Sequence, residues 1–447
     1  MRGHGRGLCG AAIVALVAGQ PALSQDMGGL QLTLGVTQRL DSTENADLVA
    51  GGGGHLAAST TSLSFGLSSE TRTQVLRLNL TGALRFEQGD GGAEPDRFDN
   101  PSLDAFYSVT GANSALTMEA SASRGALSQL APTVEDPDPQ GLGTVVRHDA
   151  SVVLDLGTST PLGLTLQASH GGSTYSDATQ TDDETLAYSA TGHLRFASGA
   201  EARLSATRSE HSEDGLTLAD DLTRDTTGLS LGWTQPLSPV LTLDASIGQQ
   251  RVETTVVTTE VTEGLSGNAG LTLELANGSA GLSFAQSQES GGARQTLSAS
   301  RSIDLGNQSI ALTLGATRRD DAAAVAIGSL RWVYEAGGGS VSFDLGRGVQ
   351  SAGLADEVTT DRLALGLRRE IGAGGSLNLD LVASRIDDSS DPLVERTDIS
   401  ASYSRDLGQD WLMTFGANMT LRAVEGSDDA TSRSIFLALT RNFSIRP

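Results

Sequence analysis

The sequence has 447 residues, with Asp+Glu 54 against Lys+Arg 30 and a formal net charge of −24. It contains no lysine, and an acidic chain whose only cations are scattered arginines argues against nucleic acid as a partner. Beyond the N-terminus no apolar run approaches the roughly 20 residues of a membrane-spanning helix; a β-barrel stays open, because its apolar face occupies alternate residues.

The first predicted element is an export signal over residues 1–24. Arg2 and Arg6 precede an apolar stretch from Leu8 to Ala18, and the small residues Ala22 and Ser24 set up cleavage before Gln25. Cys9 is the single cysteine, so its removal leaves a mature chain without disulfide, cysteine ligand or cysteine nucleophile. Only Gln25, Asp26 and Met27 separate the cleavage point from the first predicted strand, so no plug is expected ahead of it.

From there to the end, apolar and polar residues alternate with period 2, the signature of a half-buried strand. LQLTLGV (30–36), VLRLNLTGALRF (75–86), SIALTLGAT (309–317) and WLMTFGANMTL (411–421) are clear instances. The rule places strands at 28–40, 57–67, 74–86, 102–109, 115–124, 147–156, 162–170, 186–196, 202–208, 226–234 and 241–249. They continue at 265–275, 280–285, 294–303, 309–317, 325–335, 341–345, 362–369, 376–385, 397–405, 411–422 and 433–446. No sustained helical period appears.

Their connections fall into two alternating classes. Short turns such as 276–279, with Asn277-Gly278, and the triple-glycine 336–340 alternate with longer or more acidic segments such as 87–101, 125–146 and 346–361. The pattern predicts an all-β chain: 25–447 as one transmembrane antiparallel up-and-down β-barrel of about 22 strands, an even number within 16–22.

The charges sort with the same phase. Arg77, Arg85, Asp104, Glu119, Asp155, Arg195, Arg203, Asp244, Glu274, Arg331, Asp344, Arg368, Asp380 and Arg422 occupy the strand face opposite the apolar residues, and are the lumen-lining candidates. An arginine facing lipid near the midplane costs roughly 2–4 kcal/mol, which a water-filled lumen avoids. Phe196, Trp233, Trp332, Tyr334, Tyr403, Trp411 and Phe443 share the apolar phase, beside short turns or the C-terminus, as a periplasmic aromatic girdle would.

Taken together, the pattern over the mature chain resembles the Gram-negative outer-membrane β-barrel proteins, porin-like in general form. The last strand, SIFLALTRNFSIRP (434–447), is similar to the C-terminal signal read by the barrel-assembly machinery, although Arg441 interrupts its apolar phase and the chain ends in Arg446-Pro447. The resemblance implies an outer-membrane location, contact with outer-membrane lipid and lipopolysaccharide, and insertion by that machinery. It specifies no oligomeric state.

The expected function is a channel for passive diffusion of small hydrophilic solutes, weakly cation-selective because acidic loops enrich cations at the mouth. Glu135, Asp136 and Asp138 in the longest loop would form a constriction if that loop folds inward, by similarity to porins. The alternative is a non-conducting barrel: structural, adhesive, or part of a surface-polysaccharide or secretion system. Catalysis is not expected. Gly228-Leu229-Ser230-Leu231-Gly232 matches G-x-S-x-G but lies within an alternating strand, whereas a nucleophile elbow needs a strand-to-helix turn. Acidic segments 87–100 and 387–391 lack calcium-loop spacing, and no cofactor or metal is expected.

Overall fold

A computed structural model describes residues 29–46, 48–89, 98–126, 143–176, 181–214, 221–320, 322–352, 356–388, 392–408 and 410–445. The predicted signal segment 1–24 and the constriction candidates Glu135, Asp136 and Asp138 lie outside them.

The described residues form a single antiparallel sheet of 22 strands, the number the alternation predicts. In chain order these are β1 (Leu30–Glu44), β2 (His55–Glu70), β3 (Gln74–Gly89), β4 (Phe98–Thr110), β5 (Ser114–Ala126), β6 (Thr144–Leu156), β7 (Leu162–Tyr175) and β8 (Asp182–Arg195). Next come β9 (Glu201–Asp214), β10 (Leu222–Ser238), β11 (Leu241–Thr255), β12 (Thr259–Leu275), β13 (Gly278–Glu289), β14 (Gly292–Asp304) and β15 (Gln308–Arg319). The circuit ends with β16 (Val325–Ala336), β17 (Gly339–Ala352), β18 (Asp356–Glu370), β19 (Gly375–Asp388), β20 (Val394–Gly408), β21 (Trp411–Val424) and β22 (Ala430–Ile445).

Each strand pairs with its sequence neighbours, and β22 returns to β1 from Leu32↔Ile445 to Glu44↔Arg433. The ring is therefore closed through the apolar band, where hydrocarbon offers no partner for free backbone groups. Asn45 secures the seam at one rim. Only 2 % exposed, it accepts from Val49 N at 3.0 Å and donates through Nδ2 to Val49 O at 2.9 Å and Thr431 O at 3.0 Å.

The alternation translates directly into two faces. Leu204, Leu231 and Ile247 are register partners on one face of β9, β10 and β11, and remain 56 %, 57 % and 61 % exposed. A soluble sandwich would bury such residues; in a closed barrel they make the lipid-facing band. The opposite face is concave, because side chains of strands that are not wall neighbours meet there, as Arg203 of β9 meets Asp244 of β11 across β10.

The short turns match prediction closely. Asn277 precedes Gly278, whose φ of 128° suits a residue without Cβ, and a Cβ there would collide with the carbonyl oxygen of Ser302.

The other connections correct the sequence reading. Segments expected as loops at 250–264, 286–293 and, in its described residues, 346–361 are mostly strand, leaving 256–258 and 290–291 between β11–β12 and β13–β14. Likewise 202–208, 280–285 and 341–345 are only parts of the longer strands β9, β13 and β17. The ladder runs on past the apolar band, where both faces meet water and the period-2 hydrophobic signal disappears. Ion pairs occupy the outward face there: Arg208–Asp225 at 2.7 Å, Arg251–Glu253 at 3.0 Å and Arg347–Asp361 at 3.6 Å.

Candidate functional site

The concave wall carries a polar ladder close to the short-turn rim. Thr165 of β7 donates to Asp155 of β6 at 2.6 Å and lies 3.3 Å from His193 Nε2 of β8. His193 Nδ1 lies 3.2 Å from Glu201 of β9, which Arg195 also reaches at 3.2 Å and Arg203 at 3.9 Å. Arg203 continues to Asp244 of β11, which also accepts from Thr234 of β10 at 2.6 Å and from Asn268 of β12 at 3.2 Å. Seven consecutive strands are thus joined at one level by groups of both signs, each with a partner. Asp244→Ala removes the acceptor shared by Arg203, Thr234 and Asn268. In a wetted lumen the expected cost is about 1 kcal/mol, read by equilibrium unfolding in lipid vesicles.

The other lumen-lining candidates fall on the same concave phase. Arg331 meets Asp344 at 3.6 Å, Asp380 accepts from Ser400 at 3.4 Å, and Arg85 pairs with Glu87. Arg77 lies over the Phe106 ring at 5.7 Å, with Asp104 and Glu119 on the same face. Glu274, Arg368 and Arg422 occupy that phase by register, opposite Leu273, Leu367 and Leu421.

The girdle candidates lie in the outward phase toward the short-turn rim. Phe196 and Trp233 rings are 5.4 Å apart, and Trp332 stacks with Tyr334 at 6.2 Å. Tyr403 pairs in register with Leu377 and Phe415. Arg441, the residue that breaks the apolar phase of the last strand, has its guanidinium 5.2 Å from the Trp411 ring and 4.7 Å from that of Phe443. Two aromatic faces there stabilise a charge that bare lipid would penalise.

At the opposite rim the structure holds a feature that the sequence did not reveal. β12 and β13 pair only between Gly267↔Gln286 and Leu275↔Gly278, so residues 259–266 of β12 pair with β11 alone. Beyond Gln286, β13 leaves the ladder and folds over the concave face. Gln286 and Gln288 donate to Leu265 O at 3.1 and 2.9 Å, replacing the lost ladder bonds. Gln288 N donates to the Gln250 side chain of β11 at 3.2 Å, and Thr262 donates to Ser290 O at 3.3 Å. Val252 and Thr254, on the concave face of β11, are thereby left 2 % and 1 % exposed.

Arg294 fastens this inturned hairpin from its other side. Its side chain is 9 % exposed and reaches Glu289 at 2.7 Å and Glu357 of β18 at 3.0 Å. β14 and β18 are four strand spacings apart, about 19 Å along the wall. Even fully extended, an arginine and a glutamate with the hydrogen bond between them fall short of that, so the rim bends inward here. The result is a strap, β13–β14, that narrows one side of the mouth. Arg294, Glu289, Glu357 and Gln288 hold the strap in place, and the sequence pattern singles out none of them. Arg294 and Glu357 are 63 residues apart, and no local pattern links them.

Ser230 of the G-x-S-x-G match lies mid-strand in β10, paired with Ser205 and Gly248. Among the described residues no group of three or more His, Cys, Asp or Glu is arranged to hold a metal ion. The acidic segments 87–100 and 387–391 lie partly outside the described residues.

No protein-family model and no curated protein sequence is matched by the chain. Solved structures are matched. The ferric-catecholate import receptor Fiu of E. coli superimposes with a TM-score of 0.60 at 11% identity, over 94% of this chain and 82% of that one. The FrpB iron transporter of Neisseria meningitidis gives 0.59 at 10% identity, over 94% and 82%. The siderophore receptor PirA of Pseudomonas aeruginosa gives 0.52 at 12% identity, over 94% and 81%.

These findings correct the expected function. The passive, weakly cation-selective diffusion channel for small hydrophilic solutes is overturned, because these three barrels are siderophore and ferric-catecholate receptors and an iron transporter, not general pores. The strand number agrees: about 16–18 strands make the open porins, and 22 the transporters. The structural, adhesive or secretion alternative gains nothing from these neighbours either. By fold, the chain is an outer-membrane β-barrel of the 22-stranded kind.

Proposed function

We propose that this barrel is the wall of an outer-membrane uptake receptor for a bulky polar metal chelate of the ferric-siderophore class. The observation that carries the reading is the closed 22-strand circuit, an architecture matched by siderophore and ferric-catecholate receptors and an iron transporter. The concave face supports it. A ligand that carries several oxygen acceptors and a net charge needs donors and acceptors along its route, and the ladder from Asp155 to Asn268 supplies both. The strap at the mouth favours a receptor that meets its ligand before admitting it. Insertion by the barrel-assembly machinery, through the outward Ile435, Leu437, Leu439, Phe443 and Ile445 of β22, belongs to the same proposal.

The test is uptake of radio-iron chelates, catecholate and hydroxamate, by cells that lack their own iron receptors and express this chain. Saturable accumulation of one chelate, competed by its unlabelled form, is the expected result. Accumulation that rises linearly with concentration, equally for unrelated solutes, would overturn the receptor reading.

A further inference from the structure

The outward face carries a pair of histidines that the uptake reading does not use. His148 of β6 and His170 of β7 lie diagonally across the ladder, His148 opposite Gly172 and His170 opposite Ala150. Cross-strand diagonals on one face bring long side chains within reach. Their Nε2 atoms are 3.2 Å apart and their ring centroids 5.0 Å apart, with the planes tilted by 42°. Gly172 makes room for this, since a Cβ there would lie 3.3 Å from His148 Cε1. Ala122, Ala150 and Leu186 are the register partners around the pair, which places it at the upper edge of the apolar band. Glu184 of β8 has a carboxylate oxygen 3.6 Å from His170 Nδ1, and the His170 side chain is 40% exposed.

We propose that His148 and His170 form a binding site for a divalent transition-metal ion that favours imidazole, Cu²⁺ or Zn²⁺, on the outer surface of the barrel. The geometry points to a shared ion. Two nitrogens bound to one tetrahedral ion at about 2.0–2.1 Å stand roughly 3.3–3.4 Å apart, and a square-planar centre brings them slightly closer. The Glu184 carboxylate lies beside His170 Nδ1, away from the Nε2 that faces His148, and adds negative charge behind that ring. Two protein ligands leave the remaining positions to water, consistent with the exposure of the site. The ion would staple β6 to β7 at the rim. This proposal is independent of the uptake reading.

The test uses the full barrel in detergent micelles, titrated with Cu²⁺ and Zn²⁺, with Ca²⁺ as the hard-cation control. One Cu²⁺ per chain is expected, with an electron paramagnetic resonance spectrum showing two equivalent nitrogens. His148→Ala or His170→Ala should weaken binding at least tenfold, and Glu184→Gln by a smaller factor. His148→Gln keeps a hydrogen-bonding partner for His170 but removes the imidazole, so it should lose the ion while keeping the β-sheet circular dichroism of the parent. Equal Cu²⁺ binding by the parent and His148→Gln, or a spectrum without nitrogen coupling, would overturn the site.

Discussion

Leu271→Arg should destabilise the membrane-inserted barrel by about 2–4 kcal/mol, whereas Thr272→Arg, one residue later, should change stability by less than about 1 kcal/mol. Leu271 lies within the outward Leu265–Leu275 run of β12, facing Leu243 and Leu282 in register, and is 40% exposed. An arginine there must either desolvate its guanidinium in hydrocarbon or snorkel past several aliphatic layers. Thr272 faces the concave side between Thr242 and Gly281, where water solvates the same group. Reversible unfolding from lipid vesicles with denaturant measures both values. Equal penalties for the two variants would mean that the faces are misassigned, and the lipid-facing band with them.

Arg294→Ala is the second large effect expected. The guanidinium holds two carboxylates, Glu289 and Glu357, in a largely buried arrangement. Removing it leaves both without their counter-charge, which costs up to about 3–5 kcal/mol for fully buried pairs. Since Glu289 and Glu357 side chains are still 25% and 21% exposed, about 2–3 kcal/mol is appropriate here. The loss is local: the strap should detach while the wall stays paired. Hydrogen exchange should show protection of the 286–294 amides falling on the order of a hundredfold, with β20–β22 unchanged. Arg294→Lys should recover only part of it, because a single ammonium cannot reproduce the two-sided fork. Unchanged exchange in the strap would show that Gln286 and Gln288 hold it alone.

Strand number and phase were legible because lipid imposes a rule on every second residue, and a violation such as Arg441 stands out immediately. Its resolution was not legible, since Trp411 approaches it from the preceding strand. The ladder was half visible. Asp155, Arg203 and Asp244 declare themselves as charges in the polar phase, but His193, in the same phase next to Leu194, does not stand out as one of them. The strand ends escaped because above the band both faces are polar and hydrogen bonding alone continues the sheet. The strap escaped for a different reason. It depends on where β13 leaves β12, and the glutamines that make that departure possible look like ordinary loop residues. The functional expectation failed where it treated a wide polar lumen as a passive one, although a count of 22 strands already pointed beyond the porins.

The seam between β1 and β22 has a kinetic consequence. Hairpin contacts such as Thr165 with Asp155 join positions 10 residues apart, whereas Thr37 and Thr440 meet across 403. Logarithmic loop scaling makes such a closure roughly 3 kcal/mol more demanding in chain entropy than a hairpin. The cylinder should accordingly zip progressively and seal in one late, slow event. Substitutions along Leu32–Glu44 or Arg433–Ile445 should retard maturation more than they weaken the finished product.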